Sequence, residues 1–186
     1  MNYFALITLQ LAAIGALAQA PAPKPAPAEP IVWSAARPLT PADFQGRAAP
    51  GEPMAALTST DMNASAACRD FVFTGTVRAV FNPSKSWIRN PKTITPALLA
   101  HEQLHFDLAE LHARRLRQKL ALFKLKADCN KLQPAFDNLT KPAYNEWYRE
   151  DAKYDQETNH GLNAAKQAYW AEQVRQKLEQ LQEFAE

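Results

Sequence analysis

From Ala97 to Lys126 the chain contains neither Gly nor Pro, and Thr95-Pro96 stands directly before that run. A hydroxyl that can cap the first free N–H groups, followed by the residue that loses nothing at the first helical position, is a strong helix start. The sequence therefore predicts one helix from about 96 to 126, roughly 45 Å long at 1.5 Å per residue, and the remaining elements must pack around it. Leu98, Leu99, Leu104, Phe106, Leu108 and Leu111 make its early turns apolar on several faces, the pattern of a helix that crosses a core. Its later turns become amphipathic. Leu116, Leu120 and Phe123 are expected inside, while Arg114, Arg115, Arg117, Lys119 and Lys124 read as a solvated basic face.

The segment before this helix is broken by Pro and Gly and reads as short strands and loops, with Trp33, Leu39 and Phe44 as anchors. Ala55 to Ser59 can form a strand. The clearest strand is Phe71 to Phe81, with Phe71, Phe73, Val77, Ala79 and Phe81 on one face and Thr74, Thr76 and Arg78 on the other. Asn82-Pro83-Ser84 then turns the chain, and Trp87-Ile88 returns as a neighbouring strand. A second helix is expected over Ala143 to about Tyr154 and a polar break over Asp155 to Gly161. A third helix then runs to the end, with Ala165, Trp170, Val174, Leu178 and Leu181 inward. The fold class is α+β: a small antiparallel sheet in the N-terminal half packed on the long helix and two further C-terminal helices.

The long helix carries His101-Glu102-Gln103-Leu104-His105. Imidazoles four residues apart stack on one helical face and can share an ion, and the Glu between them projects beside it where a water would sit. This H-E-x-x-H spacing is that of zinc hydrolases, where the metal acidifies the water and the Glu accepts its proton. Two buried histidines among so many leucines also need an engagement of some kind. A hydrolytic zinc centre has three protein ligands and one open position. His112 lies on nearly the same face but roughly 16 Å from His101 along the axis, while Asp107 and Glu110 point elsewhere; none of the three is a first ligand. The polar break supplies the third: His160 is the first choice, with Glu157 and Asp155 as alternatives. Gly161 would let backbone come close, and Tyr154 could support a developing oxyanion or simply pack.

Residues 1–20 read as an export signal, an apolar run from Tyr3 to Leu17 followed by Ala18-Gln19-Ala20. No Lys or Arg precedes the run, so an uncleaved anchor stays open; without one, no stable membrane insertion is expected. Residues 21–30 alternate Pro with Ala and Lys, an extended tether, and 31–186 form one domain. Cys68 and Cys129 are the only cysteines, and in an exported chain an isolated pair points to a disulfide. The formal charge of +2 gives no basic surplus for a nucleic-acid partner.

Three stretches carry a likeness to a known group. They are Pro38-Leu39-Thr40-Pro41-Ala42-Asp43-Phe44-Gln45-Gly46, Leu98-Leu99-Ala100-His101-Glu102-Gln103-Leu104-His105-Phe106-Asp107, and Tyr154-Asp155-Gln156-Glu157-Thr158-Asn159-His160-Gly161 with Gln167 and Trp170 beyond. Together they resemble a bacterial family of uncharacterised exported proteins described as secreted zinc-dependent proteases. Position 41 holds Pro where that family has Trp, which leaves the histidine site untouched. The resemblance implies His101 and His105 as ligands, Glu102 as base, and a metal-binding role for His160.

The sequence thus predicts a zincin-like metallopeptidase, periplasmic or secreted, holding one Zn2+ on His101, His105 and His160 and acting on peptide or protein substrates. Glu102 would serve as general base. The strand Phe71 to Phe81, if at a sheet edge beside the helix, could hold an extended substrate. The competing expectation is a non-catalytic periplasmic binding or structural protein with a structural metal site. Such a site has no need of Glu102.

Overall fold

The computed structural model describes residues 28–186, so the expected export signal and residues 21–27 of the tether lie outside the described residues. The fold is α+β. Five strands precede three helices: β1 (Ile31–Val32), β2 (Ala56–Leu57), β3 (Thr60–Arg69), β4 (Val72–Phe81), β5 (Trp87–Ile88), α1 (Pro96–Lys124), α2 (Leu132–Thr158) and α3 (Ala164–Gln180). No helix among the described residues is long and apolar enough to cross a membrane.

Helix α1 starts where its cap requires, with Leu98 N–H donating to Thr95 Oγ1 at 3.1 Å. It runs 29 residues and is buried over most of its middle turns. Antiparallel strands lie in the order β1-β4-β3, and β2 pairs separately with β5. Met62, Val77, Ala79 and Phe81 from the larger sheet meet Phe106, Ala109, Ala113 and Leu116 of α1 in one apolar core. Trp147 of α2 closes this core from the far side.

Strand β3 escapes sequence reading because its residues are small and polar, with no run of branched or aromatic side chains. Its inward positions, Met62, Ala64, Ala66 and Cys68, nonetheless alternate regularly against the core. The β3–β4 hairpin turns at Asp70-Phe71, both at positive φ (51° and 62°), a two-residue turn whose twist suits the strands. Phe71 is consequently 83% exposed at the tip and does not join the inward face expected for it.

Helix α2 is far longer than expected, reaching back to Leu132 through Pro142 and forward to Thr158. The expected polar break is therefore mostly helix. Only Asn159, His160 and Gly161 leave it, all at positive φ, and α3 begins at Ala164. Cys68 and Cys129 are joined, tying the end of β3 to the turn before α2. On α3, Trp170 and Val174 are buried against Leu104, Leu108 and Leu111 of α1, whereas Ala165 faces solvent.

The basic stretch of α1 is not a uniformly solvated face. Arg114 is buried, donating to Glu110 Oε1 at 2.8 Å and to the Leu178 carbonyl at 2.6 Å, with its guanidinium over the Trp33 ring. Arg117 pairs with the other Glu110 oxygen at 2.7 Å. Lys124 does face water.

Candidate metal centre

The first turns of α1 lie antiparallel to the last turns of α2, and this brings two imidazoles opposite two carboxylates. His101 Nε2 is 3.1 Å from Asp155 Oδ1, and His105 Nε2 is 3.2 Å from the same oxygen. One donor atom from each of His101, His105 and Asp155 falls within a 4.8 Å group suited to a metal ion. Asp155, one of the two carboxylate alternatives, is thus the residue that converges with the histidine pair. His160 stands next to this group, its Nδ1 3.3 Å from Asp155 Oδ1 and its side chain more than half exposed. Glu157 points away, accepting from Trp170 Nε1 at 3.0 Å and pairing with Lys166.

The far nitrogens of the two rings are engaged. His105 Nδ1 lies 2.7 Å from Asp151 Oδ1; a carboxylate only accepts, so this nitrogen carries the proton. His101 Nδ1 lies 3.1 Å from Gln167 Oε1, the oxygen that also accepts from Tyr154 Oη at 2.8 Å. Both Nδ1 atoms therefore face acceptors, and both Nε2 atoms point at Asp155, itself an acceptor, so a proton or a cation must stand between them. Such outer partners fix tautomer and ring orientation in metal-binding histidines. Neither Asp151 nor Gln167 was assigned a role from sequence.

Tyr154 has no free hydroxyl for a substrate. It is fully buried, stacked on the His101 ring at 4.8 Å, and its hydroxyl lies between Gln167 and the His101 carbonyl. Burial raises its pKa. It belongs to the packed support of the site, the second of the two roles open to it from sequence.

Glu102 is buried beside the pair, with Thr58 Oγ1 donating to its Oε2 at 2.7 Å. Burial raises its pKa, against the lowering effects of the Thr58 bond and the two imidazoles. Burial alone would lower the pKa of His105, but hydrogen bonds to Asp151 and Asp155 outweigh it and lift the value to about 10. Burial would raise Asp155; contacts with His101 and His105 override it and hold the carboxyl well below its usual range. All these directions express one imbalance. Glu102, Asp151 and Asp155 line the same cleft, and among the described residues no Lys or Arg does. Carboxylates gathered this closely require positive charge, either as protons on the imidazoles or as a cation. Two imidazole nitrogens and one carboxylate oxygen form a donor set suited to zinc, so the residues present fit the ion.

The cleft holds about 690 Å³. One wall is the segment Pro53 to Thr58, including β2; the other is His160, Gly161 and Leu162 from the turn after α2. Gly161 is required there twice over. Its φ is +81°, and a Cβ would stand 3.0 Å from His101 Cβ and Cγ. Strand β4 is not the edge beside this cleft; β1 and β3 flank it, and β2 takes the position expected of it.

Residues 52–161, more than half of the chain, match the family described as "Bacterial protein of unknown function (DUF922)". No curated protein and no solved structure matches.

Proposed function

The chain belongs to this bacterial family of unknown function, and from that premise we propose that it is a zinc-dependent metallopeptidase of zincin-like fold. The observation that carries the reading is the pair of Nε2 atoms turned on Asp155, beside buried Glu102, in a cleft lined by three carboxylates and no described cation. His101, His105 and Asp155 would hold the ion. When bound, zinc would polarise a scissile carbonyl and make a water acidic near neutral pH.

The chain's own residues supply the remainder. Glu102 accepts the water's proton and passes it to the leaving amine, and its raised pKa suits a group that must both take and give. Asp151 and Gln167 hold the imidazoles in the tautomer that binds metal. Strand β2 forms part of one wall of the cleft. Arg89 N–H donates to the Ala55 carbonyl and Ala56 stands opposite Ile88, so alternation leaves the Ala56 N–H and C=O on the edge away from β5. That edge is covered in the structure, since Ala56 is buried in the main core. The apolar N-terminal run and the Cys68–Cys129 bridge support a site of action in the periplasm or outside the cell.

Glu102→Gln tests the assignment. Zinc content and unfolding midpoint are expected to match wild type while peptide hydrolysis falls by at least 1000-fold; undiminished turnover refutes the role of Glu102. A structural metal site is the second reading, favoured by the closeness of His160 Nδ1 to Asp155. Loss of zinc in His160→Ala would support it, since a sphere closed by a fourth protein donor leaves no open position.

A further inference from the structure

We propose that the end of the molecule formed by the β3–β4 hairpin tip and the C-terminal turn of α1 binds the surface of a lipid bilayer whose headgroups carry negative charge. The inference is independent of the peptidase reading. No residue of this end lines the metal cleft, and Leu125 lies roughly 30 Å from His105 along α1. Two contacts bring the segments together. The Phe73 and Phe123 rings meet edge to face at 5.2 Å, and the Cys68–Cys129 bridge joins the strand to the turn beyond α1. Among the described residues, four of the eight large hydrophobic side chains left exposed stand here: Phe71, Val72, Leu122 and Leu125, each at least 60% exposed. Single apolar residues scattered over a surface are ordinary; half of them gathered at a projecting tip mark a place of contact.

Phe71 is also costly where it stands. Its φ is 62°, at the second place of a two-residue hairpin turn, where Gly is favoured and a bulky side chain is strained. Packing does not offset that strain, since the ring belongs to neither apolar core. A contact outside the fold accounts for it.

Charge selects the partner. Arg69, Lys124, Lys126 and Lys131 accompany the apolar tip, all exposed, and none forms an ion pair among the described residues. The acids in the same two segments are Asp70 and Asp128, and Asp128 is occupied in accepting from Asn130 N–H at 3.0 Å. At an anionic bilayer the apolar groups enter the headgroup boundary while the cations meet phosphates. A protein groove would take the apolar groups with no need of the cations. A soluble polyanion would do the reverse.

Co-sedimentation with vesicles tests the proposal. The chain from Pro21 serves, because it keeps every described element and omits the apolar run Tyr3 to Leu17, a second source of lipid binding. Binding to vesicles of phosphatidylglycerol and phosphatidylcholine in equal parts is expected to be roughly 10-fold or more tighter than to phosphatidylcholine alone. Lys124→Gln with Lys126→Gln should weaken it about 25-fold, near 5-fold for each cation. Phe71→Asn with Leu125→Gln should weaken it roughly 10-fold. Asn is at ease at positive φ, so Phe71→Asn alone should raise the unfolding midpoint while it lowers binding, the mark of a residue held for contact and not for folding. Absence of vesicle binding, equal binding to both lipids, or indifference to the apolar substitutions overturns the inference. So does a dimer in sedimentation equilibrium that Phe71→Asn dissolves, since a second copy would then be what covers the tip.

Discussion

Two clusters of buried charge sit on α1, about two turns apart, and they are settled in opposite ways. Toward the C-terminal half, Glu110 lies between Arg114 and Arg117, and Glu150 of α2 accepts from Arg115 and Lys177 while bonding His112. Each carboxylate there has at least one permanent cation beside it. Toward the N-terminal half, Asp151 and Asp155 meet imidazoles and Glu102 accepts from Thr58, with no described Lys or Arg lining the cleft. The same helix pair thus builds one electrically closed network and one that is open by the charge of an ion. Burial alone does not distinguish structure from function; the presence or absence of a fixed counter-charge does.

Metal should separate the two ends most sharply. Zinc at about 1,000 times its dissociation constant is expected to stabilise wild type by roughly 4 kcal/mol. His101→Ala or Asp155→Ala should abolish that gain, as read from urea unfolding with and without zinc. Glu110→Gln is the converse experiment. It leaves two guanidinium groups without a carboxylate and should cost about 3–5 kcal/mol in the same assay, with zinc stoichiometry untouched. A variant that lost both stability and metal would merge the clusters into one unit and break the contrast.

Support around the ligands is a smaller effect. Asp151→Ala removes the acceptor that sets the His105 tautomer, and zinc affinity should fall about 10- to 100-fold in competition with a chromogenic chelator. The smallest expected effect is on pH. In protein stripped of metal, the raised His105 pKa stabilises the fold fully below its ordinary value of 6.5, and that stabilisation is lost as pH climbs toward about 10. Zinc-loaded protein should not show this decline between pH 7 and 9.5. At the closed network, the His112 hydrogen bond, aided by Arg115, holds Glu150 far below the carboxylate range against the effect of its burial. Its contribution is full above about pH 4.5 and fades as acid is added, with or without zinc.

Much of this arrangement was legible in the residues. Thr95-Pro96 marked the start of α1, the alternation in β4 its inward face, and Cys68 and Cys129 their bridge. The H-E-x-x-H spacing located two of the three converging residues. The third was obscured by the polar run Asp155 to Gly161, which reads as a break although α2 continues to Thr158. With the helix shortened, Asp155 belonged to a loop, and a histidine in a loop looked the better donor. Read as helix, Asp151 and Asp155 repeat the four-residue spacing of His101 and His105, and two antiparallel helices set the pairs face to face. No local signal gives that pairing, because it depends on which helices become neighbours. β3 was hidden for another reason: its partner strand and the core select it, and its own small residues do not.

The abrupt left-handed exit at Asn159 stops α2 within one turn of Asp155. Aligned peptide dipoles sum to roughly half a negative charge at such a terminus. The α2 backbone therefore contributes to the potential of the cleft independently of any side chain. It draws a cation in, and a freshly made carboxylate product would feel it as a repulsion that speeds departure.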